Sequence, residues 1–192
     1  RTGRKLASLL YLCPTPIGNL GDITVRTLEV LRRVELIACE DTRRTRVLLD
    51  HYGIGCRLLS FHGYNEEERA VALLSRLREG AEIALVSDAG MPGLSDPGFS
   101  LVRACVAADL PVTVLPGPSA ISTAVVIAGL PVDRFAFIGF LARSRNKLLE
   151  QLEHFEGTGA ALVAFESPRR IQRALEVIAA RWPHRQVALC RE

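Results

Sequence analysis

The feature that most constrains the fold is a regular alternation of short apolar runs with stretches of helical periodicity. The run at residues 9–13 is followed by a segment in which Thr24 can cap a helix with Leu28 and Leu31 on its apolar face. Strands that alternate with helices of roughly ten residues predict an α/β architecture with largely parallel sheets. The predicted strands are residues 9–13, 35–39, 58–61, 83–86, 112–115, 135–141, 160–165 and 186–190. The predicted helices are residues 25–34, 43–52, 66–79, 99–108, 119–129, 146–155 and 169–182.

The segment Pro116-Gly117-Pro118 breaks this alternation and is the best candidate for a domain boundary. We therefore predict an N-terminal α/β domain over residues 1–116 and a C-terminal α/β domain over residues 117–192. Five predicted strands suffice for a sheet in the first domain. The second domain would have three strands and would stop on one of them, so we expect it to be truncated and the natural chain to continue.

Composition excludes several classes of protein. Of 192 residues, 48% are hydrophobic and 23% are charged, which is typical of a folded globular chain. No apolar run approaches the ~18 residues of a membrane helix, and the N-terminal stretch lacks a signal-peptide cleavage pattern. Five widely spaced cysteines predict neither a disulfide framework nor a zinc site, favour the cytoplasm, and are expected to be buried as small apolar side chains. A net charge of +3 excludes a polybasic nucleic-acid binder. Lys5 and Lys147 are the only lysines among 24 cationic residues, and the remaining arginines carry a planar group that suits phosphates and carboxylates.

The loops that follow the first five predicted strands are rich in glycine, proline and polar residues. In an open parallel sheet, ligands bind beyond the carboxyl ends of the strands. These loops contain no Rossmann fingerprint, P-loop or nucleophile elbow, and the four histidines lack metal-binding spacing. The loop at 88–98 has two interpretations. Its Asp-Ala-Gly and Asp-Pro-Gly segments form turns, or its main chain approaches a small ligand with no side chain between them.

Seven segments of the chain, in order, resemble the tetrapyrrole (corrin/porphyrin) methylase superfamily. They are most similar to its RNA-modifying branch, which methylates the cytidine 2′-hydroxyl of small-subunit ribosomal RNA. The chain departs from this pattern at His62-Gly63-Tyr64-Asn65, where relatives often have His-x-His-Asn, and it stops at residue 192, where relatives continue. The matching segments are residues 10–24, 38–43, 61–66, 86–98, 116–120, 137–141 and 165–169.

The resemblance implies a two-domain α/β enzyme, usually a homodimer, that binds S-adenosylmethionine in the cleft between its domains, with no metal. In this family the cofactor is held largely by main chain. The positions here that match the family's cofactor site are Gly18, Asn19, Gly90, Met91, Pro92, Leu94, Ser119, Ala120, Phe165 and Glu166.

Methylation of a ribose hydroxyl requires in-line positioning and benefits from a base, because the hydroxyl is a poor nucleophile at neutral pH. The residues alone do not select that base among four candidates on the loops. Asp41 also precedes a helical run and could be only its N-cap. The candidate bases are Asp22, Glu40, Asp41 and His62, with Arg43 as an orienting group or phosphate contact.

The resemblance implies that the partner is small-subunit ribosomal RNA or the ribosomal subunit, with no membrane involved. Phosphate contacts would come from cations near the loops, although each could be an ordinary solvated helix residue. These cations are Arg26, Arg43, Arg44, Arg46, Arg143, Arg145, Lys147, Arg169 and Arg170. Two alternatives stay open. The methyl acceptor could be a precorrin-type tetrapyrrole or a modified protein histidine, or the chain could be a non-catalytic module that binds cofactor or RNA.

Overall fold

The computed structural model describes residues 8–191, which divide into two compact units. The first unit ends at Ser119 and the second begins at Ala120. The predicted boundary after residue 116 falls slightly earlier in the same loop. Residues 1–7, for which the sequence predicts no signal peptide, lie outside the described part of the chain.

The described residues alternate strands and helices, and every strand pair in them is parallel. The predicted α/β class is therefore confirmed. The strands are β1 (Leu9–Leu12), β2 (Leu36–Cys39), β3 (Arg57–Ser60), β4 (Glu82–Val86), β5 (Val112–Val114), β6 (Phe135–Phe140) and β7 (Ala161–Phe165). The helices are α1 (Val25–Arg33), α2 (Thr42–His51), α3 (Glu66–Arg78), α4 (Phe99–Ala107), α5 (Ala120–Ile127), α6 (Arg145–Glu153) and α7 (Ile171–Arg181).

The first unit is built on a five-stranded sheet of order β3-β2-β4-β1-β5. Alternate strand residues point to opposite faces, and both faces are apolar. Tyr11 and Ile37 belong to the core that includes α1 and α2. Leu10 and Leu36 belong to the core that includes α3 and α4. Burial on both faces explains why the strands are continuous apolar runs.

Local sequence signals set the ends of the helices. Thr24 caps α1, its hydroxyl accepting a hydrogen bond from the Thr27 N–H at 3.1 Å. Gly53 follows α2 with φ of 61°, a conformation that glycine adopts without strain. The helix α3 begins with three glutamates, Glu66–Glu68, which complement the positive end of its dipole.

The second unit contains the parallel pair β6 and β7 with the helices α5, α6 and α7. Its buried residues Leu141, Leu148 and Ala174 form a small core between the strand ends, α6 and α7. The predicted strand at 186–190 is wrong, because these residues have no strand partner in the described part of the chain. Val187 and Leu189 are more than half exposed, so their apolar alternation does not reflect burial.

The five cysteines are free, as predicted. Cys13, Cys39 and Cys105 are buried, whereas Cys56 is half-buried and Cys190 is exposed, contrary to the prediction that every cysteine is buried. Burial raises the pKa of the Cys13 thiol to about 12, so this thiol stays protonated and unreactive.

Across residues 8–191, every helix is too short or too polar to cross a membrane.

We predict that Gly98→Ala lowers the free energy of unfolding by about 2 kcal/mol. Gly98 has φ of 140°, and a Cβ added there would lie 2.8 Å from Cδ2 of the buried Leu85. Urea unfolding measures the effect. The matched variant Gly55→Ala, at an exposed glycine with open space around it, should change stability by less than about 0.5 kcal/mol. Equal losses in both variants would contradict the prediction.

Candidate active site

Two adjacent strands of the first unit send their connections to opposite faces of the sheet. The connection after β1 leads to α1 in one core, and the connection after β4 leads to α4 in the other. A crevice opens where neighbouring loops diverge in this way, and ligands of open α/β sheets bind there. The carboxyl ends of β2 and β3 lie at the same edge.

Hydrogen bonds join the two diverging loops at their base. Thr15 and Gly90 exchange two main-chain hydrogen bonds of 3.0 Å. The Thr15 hydroxyl donates to the Ser87 carbonyl at 3.0 Å, and the Ser87 hydroxyl donates to the Gly90 carbonyl at 3.0 Å. The Thr15 and Ser87 side chains are buried. These bonds therefore fix the start of the 88–98 loop, because breaking them would leave buried polar groups without partners.

Beyond this junction two glycines turn the loop. Gly90 and Gly93 have φ of 81° and 80°. Pro92 is buried, Met91 is half-buried and Leu94 is 39% exposed. The predicted cofactor positions of this loop thus lie together, on a stretch that glycine holds in conformations unfavourable to other residues.

Glu66 holds the far end of the loop. Its Oε1 atom accepts hydrogen bonds from the Gly98 N–H at 3.0 Å, the Ser100 N–H at 3.1 Å and the Ser100 hydroxyl at 2.6 Å. Burial would raise the pKa of Glu66, but the bonds from Ser100 and Gly98 outweigh it and lower the pKa. The first turn of α3 is in this way connected to the first turn of α4.

Asp41 acts as the N-cap of α2. Its Oδ1 accepts from the Arg43 N–H at 2.8 Å, and its two oxygens accept from the Arg43 guanidinium at 3.1 and 2.8 Å. These bonds to Arg43 lower the pKa of Asp41 to about 2. The Asp41 N–H donates to Asp88 Oδ1 at 3.1 Å, and Arg44 pairs with Asp88 at 3.5 Å.

Three carboxylates from two loops influence one another at this edge: Glu40 in the loop after β2, and Asp88 and Asp96 in the 88–98 loop. Burial, followed by the charges of Glu40 and Asp88, raises the pKa of Asp96 to about 6. Burial raises the pKa of Glu40, with a further contribution from the charge of Asp88. The edge thus concentrates negative charge, although the whole chain carries a net charge of +3.

His62 lies at the same edge, and its backbone is held by Asn65. The His62 N–H donates to Asn65 Oδ1 at 2.8 Å, and Asn65 Nδ2 lies 3.3 Å from His62 Nε2. The other ring nitrogen, Nδ1, is buried and has no hydrogen-bond partner among the described residues. The cationic form of His62 would interact with Glu40, whose pKa it lowers.

The loop after β1 carries Gly18, Asn19 and Asp22, all of which are exposed. Asn19 caps a 3₁₀ turn, Leu20–Asp22, by accepting from the Gly21 N–H at 2.9 Å. The Tyr52 hydroxyl donates to the Leu20 carbonyl at 2.6 Å, which fixes this turn against α2.

The remaining predicted cofactor positions lie at the end of the first unit and in the second. Ser119 is the last residue of the first unit, and Ala120 is the first residue of α5. Phe165 ends β7, with its ring centroid 4.9 Å from that of Phe137. Glu166 accepts from the Arg170 guanidinium at 2.5 Å and from the Ser167 N–H at 2.6 Å.

Sequence reasoning missed several side chains of the first-unit site. Thr15, Ser87 and Asp88 lie within the matching segments, but nothing in the pattern shows that their side chains bond across the edge. The pattern presents Asp96 only as part of a turn-forming Asp-Pro-Gly segment, and Glu66 only as an acidic residue of a helix start. A half-buried carboxylate next to others becomes visible only once the topology places the loop after β2 beside the 88–98 loop.

Metal ligation has no support in the part of the chain that is described. Across residues 8–191, no three His, Cys, Asp or Glu side chains are grouped in a way that could hold a metal ion.

Solved structures of other proteins share this α/β fold. A diphthine synthase superposes with a TM-score of 0.67 at 18% identity over 92% of this chain and 72% of that chain. A cobalt precorrin-4 methyltransferase gives a TM-score of 0.64 at 21% identity over 94% of this chain and 78% of that chain.

The chain belongs to the tetrapyrrole (corrin/porphyrin) methylase family, whose model matches residues 9–192. It is 50% identical to ribosomal RNA small subunit methyltransferase I of Escherichia coli O157:H7, over 95% of this chain and 64% of that protein. The proteins of the same name from Hydrogenobaculum sp. (strain Y04AAS1) and Micromonospora olivasterospora are 47% and 50% identical over 95% of this chain. The chain spans 80% and 58% of their respective lengths.

We predict that Asp96→Asn raises the free energy of unfolding at pH 7 by about 1 kcal/mol, a value reduced for the partial exposure of the side chain. The folded-state pKa of about 6 exceeds the ordinary value of 3.8. The folded state therefore binds more protons in that interval, and wild-type stability falls as pH rises through it. Denaturant unfolding at several pH values should show the two proteins converging below pH 3.8. The control Asp109→Asn lies at an exposed residue with φ of 54°, which Asn also adopts, and should show no such pH dependence.

We predict that Glu66→Ala lowers the free energy of unfolding by about 2 kcal/mol, because it removes a charged acceptor from three donors. Hydrogen exchange should accelerate at the amides of Gly98 and Ser100. The neighbouring exposed residue provides the control Glu67→Ala, for which neither change is expected. Unchanged exchange at both amides in Glu66→Ala would refute the assignment.

Proposed function

We propose that the protein transfers the methyl group of S-adenosylmethionine to the 2′-hydroxyl of a cytidine in small-subunit ribosomal RNA. The observation that carries this proposal is the 44–50% identity, across nearly all of this chain, to proteins named ribosomal RNA small subunit methyltransferase I. The chemistry of the edge of the first-unit sheet is compatible with it.

The residues at this edge suit the cofactor. S-adenosylmethionine has a cationic sulfonium and a cationic amino group, and the edge carries Glu40, Asp88 and Asp96 with excess negative charge. The 88–98 loop offers the exposed main chain of Gly93 beside Met91 and Leu94, which suits an uncharged part of the ligand. We propose that Gly90, Met91, Pro92 and Leu94 hold the cofactor, with Gly18, Asn19, Ser119, Ala120, Phe165 and Glu166 as further contacts.

When bound, S-adenosylmethionine supplies an electrophilic methyl group on its sulfonium. What this chain must add is alignment of the acceptor oxygen and removal of its proton. We assign the proton acceptor to Glu40, because its raised pKa makes it a stronger base than an ordinary glutamate and it is only half-buried. His62, which is electrostatically coupled to Glu40, is a positioning or proton-relaying group.

The other candidates fit supporting roles better. Asp41 has a pKa of about 2, and both of its carboxylate oxygens accept hydrogen bonds from Arg43 at the start of α2. It is therefore a weak base. We assign it the role of fixing the start of α2, and with it the position of Glu40. Arg43 is 90% exposed and is free to contact a phosphate on its outer side. Asp22 is exposed on a loop and is assigned no proton transfer.

We further propose that residues 1–116 form the acceptor-side domain and residues 117–192 part of the second domain, in a homodimer that acts on the ribosomal subunit in the cytoplasm. Incubation with labelled S-adenosylmethionine and ribosomal subunits, bare RNA or a tetrapyrrole tests the function. Label in RNA that protects one nucleotide linkage from alkaline hydrolysis supports the proposal. Label in the tetrapyrrole, or tight cofactor binding with no transfer, contradicts it.

We predict that Glu40→Gln lowers kcat for methyl transfer by about 10²- to 10⁴-fold with little change in cofactor affinity. Because the base acts in its ionised form, wild-type kcat should rise with pH through a pKa above the ordinary glutamate value of 4.5, and the variant should lose this rise. The adjacent Asp41→Asn retains a good N-cap and should keep most of the turnover. A reversed order of the two variants, measured at saturating cofactor, would assign the base to Asp41.

A further inference from the structure

The second unit contains a small cavity of about 180 Å³ whose rim is dominated by arginine. Five arginines line it, from three segments: the loop after β6 and the start of α6, the loop after β7, and the start of α7. The arginines are Arg143, Arg145, Arg169, Arg170 and Arg173.

The floor of the cavity is apolar and fixed. Leu148 on α6 and Ala174 on α7 are 3% and 5% exposed and belong to the core of the second unit. Because the floor is part of a packed core, the segments that carry the arginines are held in place on a folded element.

The single carboxylate that lines the cavity is already neutralised. Glu166 has a side chain that is 6% exposed and pairs with Arg170 at 2.5 Å. Arg170 also reaches the Leu141 carbonyl at 3.5 Å, so it acts as a structural connection between the two strand ends. The other four arginines form no ion pair with any residue in the range 8–191.

Four unpaired cations around one cavity destabilise the fold through like-charge repulsion. A bound anion would relieve that repulsion, and the guanidinium fork matches phosphate oxygens in a bidentate manner. The start of α7, which no side chain among residues 8–191 caps, adds the positive end of a helix dipole.

Glu166, one of the cofactor contacts proposed above, lines this cavity, but size and charge distinguish the cavity from the cofactor-binding edge of the first unit. Its volume holds about six water molecules at about 30 Å³ each, which is less than the ~300 Å³ lower limit for a drug-sized ligand. A sulfonium ligand would meet four unpaired positive charges here, whereas at the edge of the first-unit sheet it meets three carboxylates.

We propose that this cavity binds a backbone phosphate of the RNA substrate and so positions the RNA away from the reacting ribose. The inference rests on the proposed function, since it assumes that RNA is the substrate. A phosphate contact of this kind fixes register without reading sequence.

The test compares two triple variants of the full-length protein with the same change in charge. The cavity variant is Arg143→Gln, Arg169→Gln and Arg173→Gln, which leaves the Arg170–Glu166 pair intact. The control is Arg32→Gln, Arg78→Gln and Arg185→Gln, at exposed arginines for which the structure shows no side-chain ion pair within residues 8–191. Binding of a small-subunit ribosomal RNA fragment is measured by fluorescence anisotropy at several salt concentrations, and S-adenosylmethionine binding by calorimetry.

We expect the cavity variant to bind RNA about tenfold more weakly. The slope of log K against log[salt] should become shallower by about 0.7 for each arginine–phosphate interaction that the substitutions remove. Cofactor affinity should not change. Equal losses of RNA affinity in both triple variants would show that only the net charge of the protein matters, which would overturn the proposal. Loss of cofactor binding with unchanged RNA binding would place the cavity in the cofactor site, which also overturns it.

Three further outcomes separate the role of the cavity from the proposed function. A free nucleotide offers the same phosphate chemistry, so cytidine monophosphate is titrated as well. If the cavity variant loses binding of this nucleotide and keeps RNA binding, the cavity serves free nucleotides and the RNA assignment is wrong. If the wild type methylates ribosomal RNA and the cavity variant does so with the same KM, the inference fails while the proposed function holds. If the wild type methylates no RNA, both fail.

Discussion

The paired hydrogen bonds between Thr15 and Gly90 hold together two loops that leave adjacent strands in opposite directions. A parallel sheet exposes main-chain polar groups at its carboxyl edge, and where the loops diverge no further strand residue is available to bind them. The buried hydroxyls of Thr15 and Ser87 supply the missing partners. The shape of the edge, including the positions of Gly90 and the carboxylates behind it, depends on this small set of bonds, because none of the groups can return to water without opening the edge.

The same edge accumulates carboxylates that oppose one another. Asp88 accepts from the Asp41 main chain and pairs with Arg44, which secures the base of the cluster. Within residues 8–191, Glu40 and Asp96 form no ion pair, and burial together with the neighbouring carboxylates raises the pKa of each. Clusters of this kind reduce the stability of the free protein and are stabilised by a cation. A positively charged ligand bound at this edge would therefore stabilise the protein.

Much of the fold was predictable from local signals. Periodicity located the seven strands that form, and Thr24, Asp41 and Gly53 marked helix ends correctly, because caps and C′ glycines are short-range devices. The apolar alternation at residues 186–190 led to a wrong strand, since pairing depends on a partner that local pattern does not reveal. For the site, the resemblance located the loops, but the bonds of Glu66 to α4 and the charge coupling of Asp96 to Glu40 are contacts between distant segments. Such contacts cannot be predicted from the spacing of residues along the sequence.

The cavity of the second unit has a consequence that follows from the type of its cations. All five are arginine, a residue type whose side chain carries its charge throughout the physiological pH range. Neither acidity nor lysine acetylation can therefore turn this positive surface off. Binding of the RNA phosphate in this cavity would therefore depend on the concentrations of salt and of competing polyanions in the cell.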